Sequence, residues 1–331
     1  MQNNGGLGLD TKDNRRLRGI FIAIIVILVG TYLANFVDFF FIKDRGQYNI
    51  YAYGSNYYWG QYRSQGIITL LTNEPIFLIL NQLLNLFFKS IFIVQLYIVV
   101  SYSLTAFLVS KQLGYSLYPV VLYSAIPQGL KNNIMQIRQG LGISIYLLGF
   151  QAKNKYVRLL RFLAPFIHTS MLFFVVVEGY EYCMDKMKIS RHVRLIIFTG
   201  VSVLIAALLP IATSIIGDRR AMEYSFSSDQ SASGLSFIFW IVFFVIFYIY
   251  SDKNQYTTFS AYGIVFYLST YFLTDIGARV FESFLPFILI SVLKQSNKIY
   301  KLILILLLLV FSALGWYTNH GIIGWSIAGL N

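Results

Sequence analysis

The 331-residue chain is 57% hydrophobic and only 12% charged, far below the quarter of charged residues usual in a soluble domain, so its main solvent is lipid. The formal net charge of +12 lies in short basic runs between apolar segments rather than in one stripe, which fits membrane orientation and gives no support to nucleic acid as a partner. A single cysteine, Cys183, excludes an intramolecular disulfide, a CxxC zinc site and a thiol relay, and is expected to pack as a small apolar side chain.

A polar tail with Lys12, Arg15, Arg16 and Arg18 precedes an apolar run over 19–41. That run is long enough to span hydrocarbon and too long for a signal-peptide core, so it predicts an uncleaved signal anchor with a cytoplasmic amino terminus. A polar connection over 42–73, rich in Tyr, Gly, Asn and Gln, leads to Glu74-Pro75, where a half-helix in the outer leaflet is expected to open. Residues 42–89 thus read as a first outer loop with an interfacial half-helix.

Apolar runs then occupy 90–110, 115–130, 140–150, 162–177 and 195–216, and a second outer loop over 217–234 separates them from runs at 235–250, 259–273, 280–293 and 302–317. The pattern predicts an all-α, polytopic integral membrane protein, one membrane domain over 1–331. Several runs are shorter than a perpendicular span, which gives roughly 10 to 11 helical membrane segments including re-entrant half-helices.

Basic clusters are retained in the cytoplasm. They are the amino tail, Lys153/Lys155/Arg158/Arg161, Lys186/Lys188/Arg191/Arg194 and Lys294/Lys298/Lys301. Placing all of them inside puts both long polar connections outside, and it forces a short excursion between Arg161 and Lys186 that turns near His168-Thr169-Ser170. The outer basic set is then Lys43, Arg45, Arg63, Lys89, Lys131, Arg138, Arg219, Arg220 and Arg279, mostly arginine against the usual charge rule.

Arginine offers a fixed fork of donors that matches phosphate oxygens. Arg138 and Arg279 each open a short apolar segment on the outer side, where unpaired N–H groups add to an anion site; snorkelling to headgroups is the alternative for any interfacial arginine. His168 is the one histidine inside an apolar stretch, and ionisable residues there usually face a cavity or substrate path, although a satisfied core histidine is the plainer reading. Glu74 is either a helix cap or a base. The outer acids Asp38, Asp44, Asp218, Glu223, Asp275 and Glu282 form no DxD metal motif, and GxxxxGK[ST], HExxH, GxSxG and GxGxxG are all missing, so no metal and no cofactor is expected.

The order Asp44-x-x-x-Tyr48, Glu74-Pro75, Ile137-Arg138-Gln139, Phe166-Ile167-His168-Thr169-Ser170 and a late Arg279 resembles the EpsG/Wzy polysaccharide polymerases over roughly 44–282. Leu141 stands where the family often has a small residue, Thr169 where it has Pro or Ser, and Gln47 precedes Tyr48 where an acid is usual. The resemblance implies a GT-C-like architecture and a glycosyltransferase of the bacterial inner membrane, with its active site facing the periplasm. Its substrate would be an undecaprenyl-pyrophosphate-linked oligosaccharide, with membrane lipid and a chain-length regulator as further partners.

On this reading His168 and Glu74 are the catalytic candidates. Arg138, Gln139, Arg279, Arg63, Arg219, Arg220, Asp44, Tyr48 and Tyr58 are the substrate-binding ones, with the Tyr57-Tyr58-Trp59-Gly60 stretch offering rings to sugar faces. A lipid-linked oligosaccharide flippase, an O-antigen ligase and a membrane O-acyltransferase are the competing readings. A flippase should line a path through the membrane with basic residues, whereas these cluster at one face.

The topology is tested by cysteine labelling from outside in a Cys183→Ser background: positions replacing Ser64 and Ser228 react, and those replacing Asn154 and Ser296 do not. Labelling at Asn154 from outside overturns the map.

Overall fold

A computed structural model describes residues 12–35, 44–216 and 234–318, and among these residues the secondary structure is helical. The first half comprises α1 (Lys12–Asn35), α2 (Arg45–Tyr53), α3 (Ser55–Ser64), α4 (Ile67–Thr72), α5 (Pro75–Asn85), α6 (Ser90–Lys111), α7 (Tyr118–Ala125), α8 (Pro127–Ile134) and α9 (Ile137–Gln151). After α10 (Lys155–Leu159) and a 3₁₀ segment (Leu160–Phe166) come α11 (Met171–Lys186), α12 (Arg191–Ile216), α13 (Leu235–Tyr250), α14 (Gln255–Thr270), α15 (Ile276–Leu293) and α16 (Lys298–Thr318).

Among the described residues, 5 helices are long and apolar enough to cross a membrane: Asp13–Asn35, Ser90–Lys111, Arg191–Leu208, Ile276–Leu293 and Lys298–Tyr317. The other expected segments are shorter helices, Pro75–Asn85 and Leu235–Tyr250 among them. Burial separates the centre from the periphery: 78% of the apolar window in α15 is buried, against 33% in α1, 22% in α16 and 17% in α12. The peripheral helices expose Ile20, Phe21, Ile24, Ile196, Leu204 and Leu306, the residues suited to lipid tails.

Rings fill the centre, where α9, α11, α14 and α15 meet through Tyr146, Phe174, Phe259, Phe284 and Phe287; Phe174 stacks on Phe284 at 4.2 Å between centroids.

Three sequence expectations need correction. The polar connection is largely helical over its described residues, 44–73, as α2 to α4, because the chain finds side-chain and tertiary partners that its weak helix propensities do not reveal. The apolar run over 115–130 breaks into α7 and α8 at Ile126-Pro127, where proline holds Ile126 extended at φ −82°, ψ 110°. Cys183 is exposed: on α11 the inward face carries Met171, Phe174 and Val177, and helical periodicity turns residue 183 to the opposite side.

The segment between Arg161 and Lys186 forms a hairpin, the 3₁₀ segment descending and α11 returning. Arg161 donates to Glu178 Oε1 at 3.0 Å, a pair placed symmetrically about the turn at His168-Thr169-Ser170. The hairpin lies directly on α9 because Gly149 leaves room for it; a Cβ there would overlap the backbone nitrogen of Arg161.

Arg45 is fully buried and ties three helices together. Its Nε donates to the Ile134 carbonyl at 3.4 Å and one of its amino groups donates to the Leu33 carbonyl at 3.3 Å, so one cation meets the carboxyl-terminal ends of α8 and α1. Burial pulls the guanidinium down to about 10, which still leaves it charged at neutral pH. Hydrogen bonds from a charged donor contribute about 1.5–3 kcal/mol each. Arg45→Met should therefore lower the thermal unfolding midpoint in detergent by roughly 5 °C or more, read by scanning fluorimetry. An unchanged midpoint would show that the two carbonyl contacts contribute nothing.

Candidate functional site

The backbone first marks where a site is built. Asp44 (φ 70°) and Glu74 (φ 60°) both hold left-handed conformations that non-glycine residues avoid, and each sits immediately before a helix, α2 or α5. For Glu74 the following proline already disfavours the right-handed helical region. The left-handed turn sends its side chain inward, and the residue has no exposed surface.

That carboxylate is shared. Glu74 Oε2 accepts a hydrogen bond from an amino group of Arg138 in a salt bridge, and Oε1 lies 2.6 Å from His168 Nδ1. Three remote positions, the starts of α5 and α9 and the turn of the hairpin, converge here. His168 and Arg138 keep 22% and 16% of their side chains exposed, so the cluster opens to one side through them and not through Glu74.

Aromatic rings surround the guanidinium. The Arg138 carbon lies 5.4 Å from the Tyr48 ring centroid, 5.3 Å from Tyr51 and 6.0 Å from Phe77, a cation–π cage that partly replaces lost hydration. Its Nε is buried without a protein acceptor. Burial raises the Tyr48 phenol above its ordinary range while the Arg138 charge opposes that shift, so Tyr48 is a neutral donor at physiological pH. The Asp44 charge adds a smaller upward push on the same phenol.

The start of α9 is locked to α15. Gln139 is buried, and its Nε2 donates to the Arg279 carbonyl at 2.9 Å and to Ser283 Oγ at 2.6 Å. From α8, Lys131 pairs with Glu282 at 2.8 Å, and Asn132 Nδ2 donates to the Glu282 carbonyl at 3.0 Å. Gln139 therefore holds the two arginine-bearing helix starts side by side, with the Arg279 side chain on the exposed surface of α15.

Of the residues singled out in the sequence, Glu74, Arg138, His168 and Tyr48 come into one cluster, with Asp44 at its edge and Gln139 beneath it. Tyr58 joins through Tyr51, on which it stacks at 4.6 Å. Arg63 is exposed on α3, and Arg219 and Arg220 lie outside the described residues. Sequence reasoning missed Tyr51 and Phe77; the i, i+3 spacing of Tyr48 and Tyr51 on one helix was the available signal. It also missed the Lys131–Glu282 pair, which joins positions 151 residues apart.

Removing one member of the buried ion pair leaves the other charge unpaired, so Glu74→Gln and Arg138→Met each destabilise strongly, by about 3–5 kcal/mol. The double variant should lose less than the sum, with a coupling on the order of 1–3 kcal/mol in a thermal or denaturant cycle. Additive losses would show that the two side chains do not interact.

The model of the EpsG family matches residues 32–326, nearly the whole chain. No curated protein and no solved structure matches.

Proposed function

The chain belongs to the EpsG family, a family of Wzy-type polysaccharide polymerases, and on that premise we propose that it joins oligosaccharide repeat units carried on undecaprenyl pyrophosphate at the outer face of the bacterial inner membrane. The observation that carries the proposal is a histidine held by a buried carboxylate, itself paired to a guanidinium.

In the reaction the acceptor hydroxyl oxygen bonds to the donor's anomeric carbon. The bond from that carbon to the pyrophosphate breaks, and the lipid pyrophosphate leaves with the electron pair. With Nδ1–H donating to Glu74 Oε1, His168 carries its lone pair on Nε2, where it takes the acceptor's proton as general base. Glu74 has both oxygens engaged and no exposed surface, so it orients the ring and balances the imidazolium and does not itself reach the acceptor. This favours His168 over Glu74 for the base, a choice the sequence leaves open.

The arginines divide the remaining work. Arg138 supplies the countercharge to Glu74. Arg279, exposed where α15 begins, offers its fork to the leaving pyrophosphate, and Gln139 fixes it relative to the cluster. Arg63, Arg219 and Arg220 are further candidates for the same phosphates.

His168→Ala should slow polymerisation by about 10²–10⁴ and accumulate single lipid-linked units with donor binding retained. Arg279→Lys keeps the charge but loses the bidentate fork, and should raise the KM for lipid-linked donor at normal protein levels. Purified His168→Ala protein that polymerises at the wild-type rate sinks the mechanism.

A further inference from the structure

A ladder of rings leads away from the Glu74 cluster. It starts at Tyr51, whose ring belongs to the Arg138 cage, and passes to Tyr58 on α3 at 4.6 Å between centroids and 20° between planes. Tyr58 lies nearly parallel to Tyr62, one helical turn further, at 6.3 Å and 23°. Both α3 rings are half-buried.

The ladder is held rigid by the helix that carries Glu74. Near the far end of α5, Asn85 Nδ2 donates to the Ala52 carbonyl at 2.6 Å and to Ser55 Oγ at 3.3 Å, and Gln82 Nε2 donates to the Ser55 carbonyl at 3.4 Å. These amides grip the elbow between α2 and α3. One helix therefore sets both the carboxylate, at its start, and the ring platform, at its end.

Composition separates α3 from an interfacial anchor. Its sequence, SNYYWGQYRS, holds rings, amides, hydroxyls and one arginine, Arg63, and no aliphatic side chain, whereas α4, IITLLT, follows and exposes Ile67, Ile68 and Leu71. Lipid tails suit α4. A pyranose suits α3: its C–H faces pack on aromatic rings while its hydroxyls meet the exposed Asn56 and Gln61 amides.

We propose that the Tyr51–Tyr58–Tyr62 stack is a carbohydrate platform that takes the sugar rings of the repeat-unit oligosaccharide beside the point of transfer. The proposal rests on the polymerase reading and adds to it a specific surface for the neutral part of the substrate. Phosphate recognition is left to the arginines, so rings and charges address different ends of one molecule.

The test uses purified full-length protein and the lipid-linked repeat unit extracted from His168→Ala cells. Tyr58→Ala and Tyr62→Ala should raise KM about tenfold, the effect of losing one stacking partner, with kcat changed little. Phe at either position should recover most of the affinity, because the ring face remains. Tyr58→Leu keeps the bulk without the π face and should behave like Ala, which keeps the test informative if Ala impairs folding.

An unchanged KM in Tyr58→Leu and Tyr62→Ala overturns the platform. So does a fall in membrane-embedded protein at unchanged KM, the mark of an interfacial anchor. Failure of the polymerase reading appears separately, as wild-type protein that forms no polymer from the lipid-linked repeat unit.

Discussion

Glu74 brings a carboxylate to a position with no exposed surface, where a lone charge would cost several kcal/mol. It is tolerated because Arg138 and His168 both reach it, and they come from segments far away in the chain. The ion pair is therefore also a condition on the fold: α5, α9 and the hairpin must arrive together or leave a charge stranded. Much of the remaining polar architecture makes that meeting reproducible. Arg45 anchors α2 against α1 and α8, Gln139 fixes the start of α9 to α15 and Lys131 fixes α8 to the same helix, and the Arg161–Glu178 pair closes the hairpin that carries His168.

What could be read in the sequence follows from which residues break a local rule. Glu74-Pro75, Arg138 and His168 each place an ionisable group against an apolar run, and such groups must find partners or lie at a site. Of the rings around them Tyr48 was named only through the family resemblance, and Tyr51 and Phe77 were lost among aromatic residues that make up 18% of the chain. The hairpin turn was legible from charge counting, as too few residues separate two basic clusters for two crossings. The helices of 44–72 were not, because Tyr, Asn and Gly have weak helix propensity and the bonds that hold the α2–α3 elbow come from Gln82 and Asn85, beyond the segment itself. Nothing local announces the Lys131–Glu282 pair.

The arrangement also separates two arginines that look equivalent in sequence. Arg138 is caged by three rings and committed to Glu74, while Arg279 lies exposed and its backbone carbonyl accepts from Gln139. A guanidinium held that firmly is a poor mobile clamp and a good fixed countercharge. An exposed one can follow a leaving group, so sequence position at a helix start does not by itself decide the role.

Charge bookkeeping links the parts in the proposed reaction. At rest the Glu74 carboxylate and the Arg138 guanidinium cancel. When His168 takes the acceptor's proton, the cluster gains a positive charge at the stage when the departing pyrophosphate gains a negative one. The two changes favour each other across a site whose wall is largely ring and hydrocarbon, where electrostatic effects are stronger than in water. A buried carboxylate without its arginine would remain partly uncompensated before transfer, and an arginine without the carboxylate would oppose protonation of the histidine. The pair is needed so that the base starts from balance and ends as the cation that the leaving group requires.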